Sequence, residues 1–202
     1  MKTLSLALAA VGSLFLLASV SAHASVITFD DLSGNDVDIG NGYAGLNWSG
    51  FSSQSNTYFS SDYGITGTGF DDAAVSGANY ATNDYGSPAS FSVASGTLNF
   101  ASAYFTSAYD PNQQITVTGL LKGNQVYSTT FSVSDTGPTL ESFNWSGIDD
   151  VTVSPIDGGN GSFVAVDNLS VSAVPLPAAL PLFGSAFAGL VALSRRRRAV
   201  LP

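Results

Sequence analysis

The chain predicts an all-β fold, a two-sheet antiparallel sandwich of jelly-roll type, and three observations carry that reading. No window between Ser25 and Ala173 sustains the 3.6-residue apolar period of an amphipathic helix. Short alternating runs rich in Val, Ile, Thr, Phe and Tyr recur instead, separated by Gly, Asn, Asp and Pro. Glu141 is the sole glutamate, and the aspartates that supply the remaining acids favour turns over helix interiors.

In chain order the clearest predicted strands are Val26 to Phe29, Ser90 to Val93, Leu98 to Thr106, Ile115 to Leu120, Gln125 to Val133, Leu140 to Trp145, Val151 to Ser154 and Phe163 to Val171. The fourth and fifth flank Leu121-Lys122-Gly123-Asn124, a good hairpin connection. The stretch from Ser33 to Pro88 is looser, rich in Gly, Ser, Asn and Tyr, and predicts long loops with short strands such as Asn56 to Phe59. Eight or more short strands sharing one core point to the sandwich. The scattered glycines fit no phosphate-binding pattern and read as turn residues.

Both ends of the chain carry address segments. Lys2 begins a positive n-region, Leu4 to Val20 form an apolar stretch, and Ala22-His23-Ala24 offers an A-x-A cleavage site, so residues 1–24 read as a signal peptide. At the other end Val174, Pro175, Leu176, Pro177 and Ala178 open a stretch of 17 residues, Ala178 to Ser194, that carries no charge. That is the short end of what crosses a hydrocarbon core of about 30 Å. Arg195, Arg196, Arg197 and Arg198 follow, and such a cluster favours the cytoplasmic side.

This order of proline motif, apolar segment and arginine cluster resembles the PEP-CTERM sorting signal of Gram-negative bacteria, in its VPLPA variant. Leu176 stands where the commoner form has a glutamate. The resemblance implies an exosortase, an integral-membrane protease that cuts near the motif, as partner. It divides the chain into a signal peptide (1–24), an ectodomain (25–173) and a sorting signal (174–198) with a transmembrane helix at about 178–194. It also implies export through the inner membrane, transient anchoring there, and a final place at the cell surface or in the extracellular matrix.

Removing the signal peptide removes His23, the chain's only histidine, and the chain has no cysteine. Zinc sites built on His or Cys, Ser-His-Asp and Cys-His catalysis, and disulfides are therefore excluded. All 15 acids lie between Asp30 and Asp167, where Lys122 is the only basic side chain, a formal charge of −14. Such a surface repels nucleic acid and anionic lipid. Roughly 150 residues remain, enough for one domain with its own core.

Two carboxylates interrupt apolar patterns. Phe163, Ala165, Asp167, Leu169 and Val171 share a face by the two-residue period, as do Ile27, Phe29 and Asp31, with Asp30 adjacent. A jelly roll commonly joins its first and last strands, so Asp31 and Asp167 are expected to converge, and a divalent cation would relieve their repulsion and desolvation. Calcium would also recruit carbonyls and Asn168. The segments FDDL and VDNL are similar to those of calcium-stabilised carbohydrate-binding jelly rolls, which implies a structural Ca2+ on Asp30, Asp31 and Asp167. Without an ion, Asp167→Ala is expected to be near neutral or stabilising.

Trp48 and Trp145 stand in identical tetrapeptides, Asn-Trp-Ser-Gly, and read as core residues at two equivalent strand ends. Tyr58, Phe59, Tyr63, Tyr80, Tyr85 and Tyr109 lie in loop-rich sequence, where they could stack on sugar rings. The paired acids Asp71-Asp72 and Asp149-Asp150 do not suit glycoside hydrolysis, because neighbours on a strand point to opposite faces. The sequence thus reads as an exported, non-catalytic surface or exopolysaccharide-matrix protein. The alternative is a carbohydrate-binding module of that matrix, whose mark would be ordered aromatic residues along one concave face.

Overall fold

The computed structural model describes residues 25–157 and 161–174. The signal peptide, the proline motif from Pro175 onward, the apolar segment and the arginine cluster lie outside the described residues. The alternating runs become strands β1 (Ser25–Ile27), β2 (Val37–Asp38), β3 (Asn47–Ser49), β4 (Phe51–Ser55), β5 (Asn79–Asn83) and β6 (Ala89–Ser92). They continue as β7 (Thr97–Ser107), β8 (Gln113–Leu121), β9 (Asn124–Val133), β10 (Thr139–Ile148), β11 (Asp150–Pro155) and β12 (Val164–Val174). Among the described residues these make a seven-stranded sheet ordered β10-β7-β12-β5-β4-β2, with β1 also on β12, and a five-stranded sheet ordered β3-β6-β11-β8-β9. Every pairing is antiparallel.

The two sheets face each other across one apolar core that includes Phe29, Phe51, Phe91, Phe100, Phe105, Ile115, Val117, Ile148, Val164, Val166 and Leu169. Each of the eight clearest predicted strands therefore exists, within a few residues of its expected ends, and the fold is the expected two-sheet sandwich. Lys122 and Gly123 form the β8–β9 turn with φ of 52° and 75°. Two consecutive positive values are what a tight type I′ hairpin demands. Asp149 receives the Lys122 N–H on both carboxylate oxygens, at 3.1 and 2.9 Å.

Asn56 to Phe59 is a correction: the chain there enters a short helix, α1 (Tyr58–Tyr63), instead of a strand. α1 and a 3-10 turn at Gly69–Asp72 cover the outer face of the seven-stranded sheet. Phe70, Ala73, Tyr80, Ala108 and Ala165 form a second apolar cluster there, with Phe59 and Phe163 against it. An aromatic residue can serve that layer without any sheet period, which is why the strand reading failed. Gly69 lets the cover approach β7, since a Cβ at that position would lie 2.0 Å from the Ser107 carbonyl oxygen.

β12 also departs from the expected pattern. Asn168 adopts φ 46°, and the pairing with β7 slips between Asp167 and Ser170. This bulge reverses which side chains face inward. Val164 and Val166 before it, and Leu169 and Val171 after it, all enter the main core. Phe163, Ala165 and Asp167 thus occupy the outer face, not one row with Leu169 and Val171.

Trp48 and Trp145 are buried in the main core, as their type suggested. Their tetrapeptides do not mark equivalent strand ends. The first spans β3 and the Gly50 hinge into β4, where the chain changes sheets; the second lies within β10 at an irregularity in its pairing.

Candidate functional site

A hollow of about 150 Å³ opens beside α1 on the outer face of the seven-stranded sheet. It is lined by Tyr58, Phe59, Tyr63, Tyr85 and Phe163 on the aromatic side, and by Asp36, Gln54, Thr82, Asn83 and Asp84 on the polar side. α1 brings three of the rings together: Tyr58 and Phe59 lie 5.2 Å apart, Phe59 and Tyr63 5.9 Å, and the Tyr58 and Tyr63 hydroxyls meet at 3.1 Å. β4 and β5 supply the floor, because Gln54 and Thr82 point away from the main core by the strand period.

The exposure of the lining grades from rim to floor. Tyr63 and Tyr85 keep 60% and 76% of their surface, whereas Gln54 and Thr82 keep 4% and 2%. Gln54 Oε1 and Thr82 Oγ1 are buried without a hydrogen-bond partner. Such groups cost about 1–3 kcal/mol each when left unmet. Asp84 accepts a hydrogen bond from the Ser52 hydroxyl; burial raises its pKa above the usual carboxylate range, and Asp38 and Asp36 push it further. Tyr85 at φ 52° and Asp36 at φ 55° hold left-handed backbone conformations that non-glycine residues avoid. Strain of this kind collects where a side chain must be presented in one direction.

Of the six expected aromatic platforms, Tyr58, Phe59, Tyr63 and Tyr85 line this hollow. Tyr109 stands close by, 6.5 Å from both Phe59 and Phe163. Tyr80 does not belong to it, being fully buried against Phe70 at 5.2 Å. Phe163, Asp36, Gln54, Thr82 and Asp84 were not foreseen. Their signal was faint: β4 reads Phe-Ser-Ser-Gln-Ser, a run too polar to stand out as a strand.

A second arrangement sits where the first and last strands meet. Asp167 is 1% exposed and accepts N–H bonds from Val75 at 2.6 Å, Ser76 at 3.2 Å and Asn168 at 2.7 Å. Burial raises its pKa, the three N–H groups oppose that, and neighbouring Asp30 adds to it. Asp30 accepts from the Ala78 and Asn79 N–H groups at 3.0 and 3.3 Å, while Ser76 Oγ bridges Asp30 at 3.5 Å and Asn168 Oδ1 at 2.8 Å. Gly77, at φ 59°, lies against the Asp30 carboxylate so closely that a Cβ would fall 1.9 Å from Oδ1.

The expected meeting of Asp31 with Asp167 is therefore corrected. β1 ends at Ile27, Phe29 turns to φ 58°, and the carboxylate that joins Asp167 is that of Asp30. Asp31 instead accepts the Tyr43 hydroxyl at 2.6 Å. The expectation that Asp167→Ala would be neutral falls with it, because Asp167 anchors the backbone of residues 75 and 76.

No family model matches the chain, and no curated protein matches it. Solved structures do. A family 16 carbohydrate binding module aligns at 20% identity over 49% of this chain and 79% of its own, with a TM-score of 0.32. The K2 cleaved adhesin domain of Lys-gingipain aligns at 13% identity over 75% of this chain and 99% of its own, at 0.46. TmCBM61, solved with β-1,4-galactotriose, aligns at 12% over 70% and 100%, at 0.38. These are likenesses of architecture alone. No ligand passes from those proteins to this one.

The hollow combines apolar and polar surface. Ring faces at the rim offer stacking surface, and the floor holds an unpartnered amide oxygen and an unpartnered hydroxyl. Three of the four paired acids have structural partners: Asp71 takes the Gly67 and Thr68 N–H groups, Asp149 the Lys122 N–H, and Asp150 the Thr152 hydroxyl.

Proposed function

We propose that the domain is a non-catalytic carbohydrate-binding module, exported and sorted through its C-terminal signal to the cell surface or exopolysaccharide matrix. The observation that carries this reading is the hollow, where exposed Tyr63 and Tyr85 stand over a buried floor whose Gln54 and Thr82 oxygens lack partners. A sugar ring has an apolar face for the tyrosines and hydroxyls for the floor. Glycan-array binding by the mature protein tests it. Tyr63→Ala with Tyr85→Ala is expected to abolish the signal, and binding that survives both changes would move the site elsewhere.

Sorting is supported by the order of motif, apolar stretch and arginines, from Val174 to Arg198. Replacing Arg195, Arg196, Arg197 and Arg198 with Ser is expected to leave the precursor uncut or released, as read by the mass of the mature protein. Normal processing would overturn the assignment.

A structural calcium is the reading for the second arrangement. Two carboxylates, an amide oxygen and a hydroxyl converge around Ser76 from Asp30, Asp167 and Asn168. An all-oxygen set with two negative charges suits a hard cation, and bound calcium would neutralise the pair. Among the described residues no three His, Cys, Asp or Glu side chains are placed to hold a metal ion together, so backbone carbonyls or water would complete the shell. Added calcium is expected to raise the melting temperature, with the rise lost in Asp30→Asn and Asp167→Asn but kept in Asp31→Asn. A melting curve indifferent to calcium and chelator would remove the ion.

A further inference from the structure

The hollow is acidic and has no cation of its own. Asp36 and Asp84 line it together, and Asp38 is near enough to act on Asp84. Among the described residues Lys122 is the sole basic side chain, and it stands at the β8–β9 turn of the other sheet. The buried Gln54 Oε1, an acceptor, and the Thr82 hydroxyl lie in the same wall without a hydrogen-bond partner. Acidic groups alone are commonplace on a chain this negative. Partnerless polar side chains buried to 4% and 2% exposure beside them are not, because burying such an oxygen is unfavourable unless it finds a hydrogen-bond partner.

We infer that the hollow binds a primary ammonium group carried on an amino sugar, so that the polysaccharide recognised contains free, non-acetylated hexosamine. The inference rests on the carbohydrate-binding reading and narrows it. An ammonium presents three N–H donors and no acceptor. Asp36, Asp84 and Gln54 Oε1 are three acceptors of the right kind, and Tyr63 and Tyr85 supply ring faces for the sugar and, for its cation, a favourable quadrupole. An N-acetyl group offers one donor, brings a carbonyl oxygen toward the carboxylates and carries no charge. A uronate or sulfate would be repelled outright.

The test is calorimetric titration of the mature protein with oligosaccharides matched in length and linkage, in glucosamine and galactosamine series. Each series has a free-amine, a fully N-acetylated and a neutral hexose member. The free-amine member is expected to bind about tenfold more tightly than its acetylated partner, since a charge-assisted hydrogen bond replaces a neutral one. That advantage should shrink between about 0.05 M and about 0.5 M salt as screening grows. Asp36→Asn with Asp84→Asn should remove the amine preference, so that free-amine and acetylated members bind alike. Equal binding of amine and acetylated members, or a preference untouched by the double variant, overturns the inference and leaves the carbohydrate-binding reading standing. Calcium binding lost in Asp84→Asn without any amine preference also overturns it, in favour of a metal. Failure of every sugar to bind overturns both.

Discussion

Tyr85 carries an exposed ring on a backbone at φ 52°, and the two facts pull in opposite directions. A left-handed conformation costs a non-glycine residue about 1–2 kcal/mol, which glycine does not incur. Tyr85→Gly is therefore expected to raise the melting temperature by a few degrees while weakening sugar binding. A thermal scan and a titration on one sample read both signs, and a lowered melting temperature would mean that the ring holds the hollow together. Asp167 presents the opposite case, a charge kept buried because backbone donors need it. Asp167→Ala is expected to destabilise by about 2–4 kcal/mol through the stranded N–H groups of Val75 and Ser76, and Asp167→Asn by less, since its amide oxygen still accepts. Denaturant titration of the two variants ranks them.

At the scale of the element, the β8–β9 hairpin is held by nine paired positions and its turn projects beyond both strands. Two glycines inserted after Gly123 are expected to change stability by well under 1 kcal/mol, because extra loop length adds little closure entropy. A larger loss would assign real weight to the Lys122 N–H bonds to Asp149. This hairpin was legible in the sequence because long strands repeat their alternation and Lys-Gly sits where positive φ is needed. The long strands β7 to β12 were legible for the same reason. β2 to β5 were not: they span two to five residues and bury serine, glutamine and threonine on faces where apolar residues would have signalled a strand. The bulge at Asn168 was equally silent, since one residue of left-handed backbone leaves no trace in composition. The candidate hollow was therefore half visible. Its tyrosines announced themselves by type and place, but its polar floor came from strands that only pairing with β12 and with each other defines.

The molecule as a whole holds far more carboxylates than cations, and burial raises the carboxyl pKa of Asp84, Glu141 and Asp150 above ordinary values. A folded state that binds protons more readily than the unfolded chain is favoured by acid. The stability from these three groups is complete below their ordinary pKa near about 4 and is lost as pH rises through the raised values. The melting temperature is accordingly expected to rise as pH is lowered from neutrality toward about 4, and calorimetry across that range measures it. A curve that is flat or falls toward acid would overturn this expectation.

The position of β12 carries a mechanical consequence. β12 ends at Val174, immediately before the proposed anchor in the sequence. β12 is no edge strand; it lies between β7 on one side and β1 with β5 on the other. If the proposed anchor holds the chain there, tension along the strand would load its rungs to β7 in shear and together, where a pull across an edge would break them one after another. The strand that receives the load is also the one clasped by Asp167 to the loop at residues 75 and 76, so the grip on the tether and the closure of the outer layer share a single beam.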